Sequence, residues 1–112
     1  ARQRRIFVHC RSTQIDVAYF EGHRIFAFNT FDVQTADDVL YFTCQLARQF
    51  DVDFSATPFI ICGRADKMPA VAACFRPFVA EVECVDAAPE FDGHPLTELS
   101  LLPFELLTNL LN

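Results

Sequence analysis

The chain has 112 residues, 52% of them hydrophobic and 13 of them Phe, with 15 Asp and Glu against 9 Lys and Arg for a formal net charge of −6. That is the size of one domain with ample material for a core. The negative balance excludes general nucleic-acid binding, which needs a concentrated positive field, and the one basic cluster, Arg2, Arg4 and Arg5, reads as a solvated lead-in to the first strand.

The cysteines Cys10, Cys44, Cys62, Cys74 and Cys84 sit in apolar segments at wide spacings, with no C-x-x-C pair and no histidines grouped near them. This pattern speaks against zinc, and the odd count speaks against a disulfide framework. Reduced, buried thiols in a cytoplasmic protein are the expectation. No apolar run reaches the length of a membrane span and no signal-peptide pattern is present, so no membrane insertion is expected. The sequence starts without Met just before a strand, and is expected to be a piece of a longer protein.

Three strands open the chain: Ile6 to Cys10, Gln14 to Phe20 and Arg24 to Phe31, rich in Val, Ile, Phe and Tyr with polar residues interleaved. The breaks Arg11-Ser12-Thr13 and Glu21-Gly22-His23 make this an antiparallel meander. A helix follows. Thr35 is its N-cap, Asp37 and Asp38 occupy its first turn, and Asp38 completes a capping box. Ala36, Val39, Leu40, Thr43, Leu46, Ala47 and Phe50 recur at helical spacing toward the sheet, and the helix ends near Phe50.

The run Phe59-Ile60-Ile61-Cys62, short and unalternating, predicts a buried parallel strand ending at Gly63. Lys67 to Phe78 predicts a short helix with Pro69 in its first turn and Pro77 ending it. Val79 to Val85 alternates and predicts strand five. Ala87 to Pro95 reads as a loop and Leu99 to Leu111 as an apolar closing helix. The order β-β-β-α-β-α-β-α predicts an α/β domain, a mixed five-stranded sheet with helices on both faces.

That element order resembles the ribonuclease H-like fold, the repeating core of actin-like ATPases. The chain is similar to one half of such a protein, most closely the second, and to an uncharacterised bacterial domain-of-unknown-function family built on it. That family is distantly similar to pilus-assembly and cell-division actin relatives. In actin-like ATPases the turn after strand one reads roughly D-x-G-[ST]-[ST] and cradles phosphate. Here the same place reads His9-Cys10-Arg11-Ser12-Thr13. Ser12 and Thr13 match, while His9 stands for the Asp and Arg11 for the Gly. The adenosine-side loop carries paired glycines in the family and here reads Cys62-Gly63-Arg64-Ala65, with Arg64 replacing the second.

The resemblance therefore implies a vestigial nucleotide cleft around Arg11, Ser12, Thr13, Gly63 and Arg64. No catalytic residue, metal or cofactor is expected, and ATP–magnesium hydrolysis is not expected, because imidazole is a poor magnesium ligand. A nuclease would need carboxylates converging at strand one, which offers His9. Cys10 and His9, neighbours on a strand, point to opposite faces and make no thiol–imidazole pair; His9 is expected at the surface or between strands. The expected function is that of a non-catalytic interaction or scaffold module. Its expected partner is another protein, the other half of its parent chain, or a second copy pairing along strand three. The alternative is a nucleotide-binding regulatory domain of the actin-like ATPase type.

Overall fold

The computed structural model describes residues 3–63 and 66–86. Its elements are β1 (Arg4–Cys10), β2 (Gln14–Glu21), β3 (Arg24–Asp32), α1 (Ala36–Gln49), β4 (Phe59–Gly63), α2 (Met68–Phe75) and β5 (Val82–Asp86). The predicted closing helix and the loop before it lie outside the described residues.

The strands form one sheet in the order β3-β2-β1-β4-β5. β1 pairs antiparallel with β2, and β2 with β3, while β1 with β4 and β4 with β5 run parallel. The sheet is thus mixed, as the element order predicts. The hairpin between β2 and β3 turns at Gly22, whose φ of +63° is a left-handed conformation that glycine adopts without strain.

Alternation on β1 and β2 sorts side chains to two faces. Ile6, Val8, Cys10, Ile15, Val17 and Tyr19 share one core cluster with Val39, Leu46 and Ala47 of α1 and Val71, Ala72 and Phe75 of α2. Both described helices therefore cover the same face. The other face carries Phe7, His9, Asp16, Ala18, Phe20, Ile60 and Cys62, all buried.

The start of α1 follows the sequence closely. Thr35 Oγ1 accepts from the Asp38 N–H at 3.1 Å, and the Asp38 carboxylate accepts from the Thr35 N–H at 3.1 Å, a reciprocal capping box. Its end uses a device the sequence does not advertise. Asp51 stands just past the C-cap Phe50 with φ of 51°. The Asp51 N–H donates to the Arg48 carbonyl at 3.3 Å and the Val52 N–H to the Ala47 carbonyl at 3.2 Å, the two bonds of a Schellman closure. Glycine usually holds that place, and an aspartate there is strained. Asp51→Gly is expected to raise stability by about 0.5–1 kcal/mol in urea unfolding.

α2 ends at Phe75, three residues before the predicted Phe78, and β5 begins at Val82 rather than Val79. The physical reason is a closing turn: the Phe78 and Val79 N–H groups both donate to the Phe75 carbonyl at 2.9 Å, and the Ala80 N–H donates to Phe54. Those donors are committed before a strand can begin.

Candidate functional site

A cleft of about 330 Å³ opens beyond the carboxyl end of β1, between the first turns of α1 and α2. Its walls come from the first turn (Cys10, Arg11, Ser12), the lead-in to α1 (Gln34, Thr35) and the segment after β4 (Asp66, Lys67). In open α/β sheets this is where ligands bind, at the carboxyl ends of parallel strands and beside a topological switch. Lys67 Nζ spans the cleft and donates to the Ser12 carbonyl at 3.1 Å.

Arg11, at the cleft wall, is held by Asp16. Its Nε donates to Asp16 Oδ2 at 3.1 Å and a terminal NH2 group to Asp16 Oδ1 at 3.0 Å. The Arg11 backbone N–H is used inside the turn, donating to the Gln14 carbonyl at 2.9 Å. Asp16 also accepts from Thr30 Oγ1 at 2.7 Å, and His9 Nδ1 lies 3.2 Å from its Oδ2. An ionised carboxylate only accepts, so His9 carries its proton on Nδ1. His9 is fully buried rather than at the surface, and among the described residues its Nε2 has no hydrogen-bond partner. The register explains the cluster: His9 lies opposite Asp16, and Asp16 opposite Thr30, across three adjacent strands.

Burial alone would raise the Asp16 carboxyl. The hydrogen bonds from His9, Thr30 and Arg11, with the Arg11 charge, outweigh it and hold the group below the ordinary carboxylate range.

Of the five sequence-predicted residues, Arg11 and Ser12 line the cleft. Thr13 lines a separate recess with Asp32, Asp38 and Phe42. Gly63 is buried against β1: a Cβ on it would meet the Cys10 carbonyl oxygen at 3.0 Å and the Cys10 Cβ at 3.1 Å. Its lack of a side chain thus serves strand packing. Arg64 lies outside the described residues. The sequence reading missed Lys67, Asp66 and Thr35 as cleft walls. The signal for Lys67 was its place just ahead of α2, close to the end of a parallel strand.

No group of three or more His, Cys, Asp or Glu side chains able to hold a metal occurs among the described residues. Cys10, at the cleft floor, is pushed by burial first, and by the nearby Cys62 next, up to about 12. It is a neutral thiol at physiological pH, hence a poor nucleophile. Because the fold raises this acid's pKa, its contribution to stability is present below about pH 9 and is lost as pH climbs toward 12. Urea midpoints are expected to fall across that window, and Cys10→Ala is expected to flatten the fall.

The family model described as protein of unknown function (DUF3822) matches residues 1–82. The chain belongs to that family. Comparison with curated proteins gave no match. Among solved structures, this DUF3822 chain is similar to a Bacteroides thetaiotaomicron protein with actin-like ATPase fold and unknown function. The TM-score is 0.69 at 15% sequence identity, over 76% of this chain and 33% of that one. The likeness shows the fold, and the chain spans about a third of that structure's length. The resemblance read from element order is therefore correct at the level of family and of actin-like ATPase fold. Among the described residues, no helix is long and apolar enough to cross a membrane.

Proposed function

We propose that this DUF3822 chain is a non-catalytic interaction module of ribonuclease H-like topology, cytoplasmic, and part of a larger actin-like protein. The strand order β3-β2-β1-β4-β5, with only β2 antiparallel to its neighbours, supports that topology. The observation that carries the functional reading is the state of two cations at the cleft among the described residues, Arg11 and Lys67. Arg11 is held by buried Asp16, and Lys67 by the Ser12 carbonyl. The Arg11 N–H, which a phosphate cradle would direct at its ligand, is spent within the turn. At the position of the Asp in the actin-like ATPase turn pattern, His9 is engaged with Asp16.

A second reading, a nucleotide-regulated domain, is favoured by the cleft itself: its volume of about 330 Å³ suits a small ligand. Lys67 would then leave Ser12 for a phosphate. Calorimetric titration with Mg-ATP and with ADP separates the two. The module reading expects no saturable heat at millimolar nucleotide. Saturable binding that disappears in Lys67→Ala, with the fold intact, would replace it by the nucleotide-regulated reading.

A further inference from the structure

The outer face of α1 is unusual for a helix that caps a single sheet. Tyr41 is 60% exposed, and Phe78, brought beside α1 by the turn after α2, is 60% exposed. With Leu40, Cys44 and Phe54 they border a surface groove of about 340 Å³ along the helix. Contiguous apolar surface of this kind, rimmed by polar residues, marks a protein contact.

The charges on that face are arranged along its length. Asp37 stands at the start of the exposed seam and Arg48 at its end, with Tyr41 and Cys44 between them. At roughly 1.5 Å of rise per residue the two charges are about 16 Å apart. A second α1 laid antiparallel, about a two-fold axis midway between Tyr41 and Cys44, brings Asp37 against Arg48 of the second copy. The same axis brings Arg48 against Asp37 of the second copy, and Tyr41 against Cys44 of the second copy. A parallel arrangement would oppose like charges at both ends. The pattern is therefore self-complementary under a two-fold axis, the requirement of an isologous interface.

The rest of the surface fits this choice. Cys74 Sγ donates to Asp37 Oδ1 at 3.4 Å, which steadies that carboxylate on the face. The β3 edge is a poorer place for a second copy. Its Thr30 N–H is taken by Asn29 Oδ1 at 2.8 Å, and its ladder is irregular opposite Tyr19 and Phe20. Such features blunt an edge against pairing.

We infer that the exposed face of α1 is a self-association surface, on which a second copy of this chain packs antiparallel with Tyr41 seated in its groove and Asp37–Arg48 pairs at both ends. This deepens the interaction-module reading by naming the partner. Sedimentation velocity of the 112-residue chain, from low micromolar to millimolar, is expected to show the 12.7 kDa species giving way to twice that mass. Asp37→Arg and Arg48→Asp are each expected to weaken association by about tenfold or more, through like charges at the ends. Their combination is expected to restore it. Tyr41→Glu leaves both end charges in place, so it probes the surface even where a charge variant unfolds, and is expected to give monomer with an unchanged circular dichroism spectrum.

A folded chain that stays monomeric throughout the range would overturn the inference. So would a dimer untouched by all the variants, or a folded double variant that fails to regain association. Nucleotide binding in the calorimeter would unseat the module reading without altering these sedimentation results, so the two failures are distinguishable.

Discussion

Asp16→Ala is expected to cost the fold about 3–5 kcal/mol, the range seen when one partner of a buried ion pair is removed. The carboxylate is fully buried and accepts from three side chains, His9, Arg11 and Thr30. Its loss leaves both nitrogens of the buried His9 ring without a partner among the described residues and strands the Arg11 guanidinium, whose side chain is only 14% exposed. Asp16→Asn is expected to cost less, since the amide oxygen still accepts one bond from Arg11 or Thr30. Urea unfolding of the three proteins at neutral pH measures both differences.

The same carboxylate sets an acid limit. Its pKa is lowered in the fold, so the folded state binds its proton less readily than the unfolded chain does. The stability it supplies is present above the ordinary carboxylate pKa of about 4 and is lost as pH falls through the lower folded value. Wild type is therefore expected to lose stability below about pH 4 more steeply than Asp16→Asn, which lacks this titration. Equal slopes for the two would remove Asp16 as the source.

Much of this architecture was legible because local signals agreed with one another. Thr35 and Asp38 reported a helix start by a reciprocal hydrogen-bond pattern confined to four residues, and the structure has both bonds. The run from Phe59 to Cys62 reported a strand buried on both faces because no polar residue interrupts it. The alternation of β1 and β2 correctly sent His9 and Cys10 to opposite faces. Each of these depends on neighbours in sequence.

What stayed hidden depends on pairing between distant strands. The resemblance puts Arg11 beside phosphate because it stands at the glycine of the actin-like ATPase turn pattern. Its true environment follows from register, which places Asp16 across from His9 and within reach of Arg11. Counting outward from the turn, with Cys10 opposite Ile15, would have found it. Ser12 and Thr13 both match the hydroxyl positions of the D-x-G-[ST]-[ST] turn, but in this tight turn the two residues line different recesses. The end of α2 was misplaced because Pro77 reads as a stop, whereas the helix had already closed at Phe75. Lys67 had a local signal in its place just ahead of α2, but its contact with the Ser12 carbonyl joins residues far apart in sequence.

Gly63 supplies the other large effect, and it separates a packing role from a binding role. The residue pairs with Cys10 across the parallel β1–β4 ladder, where a Cβ would approach the Cys10 carbonyl oxygen to 3.0 Å and its Cβ to 3.1 Å. Neither neighbour gives easily, because the oxygen belongs to strand backbone and the Cβ to a buried side chain. Gly63→Val is expected to destabilise by about 1–3 kcal/mol, the ordinary cost of overpacking a filled interior. Gly63→Ala should lose less, because the reduced freedom of the unfolded chain returns about 0.4–1 kcal/mol. The decisive comparison adds Cys10→Gly to Gly63→Ala. That second change removes the Cβ at 3.1 Å but leaves the carbonyl at 3.0 Å. A double variant whose cost falls below the sum of the two single costs locates the strain between these side chains. Strict additivity would assign it to the carbonyl. A Gly63→Val protein as stable as wild type would show that β1 and β4 can part by a few tenths of an ångström, and would return Gly63 to consideration as a residue kept small for a ligand.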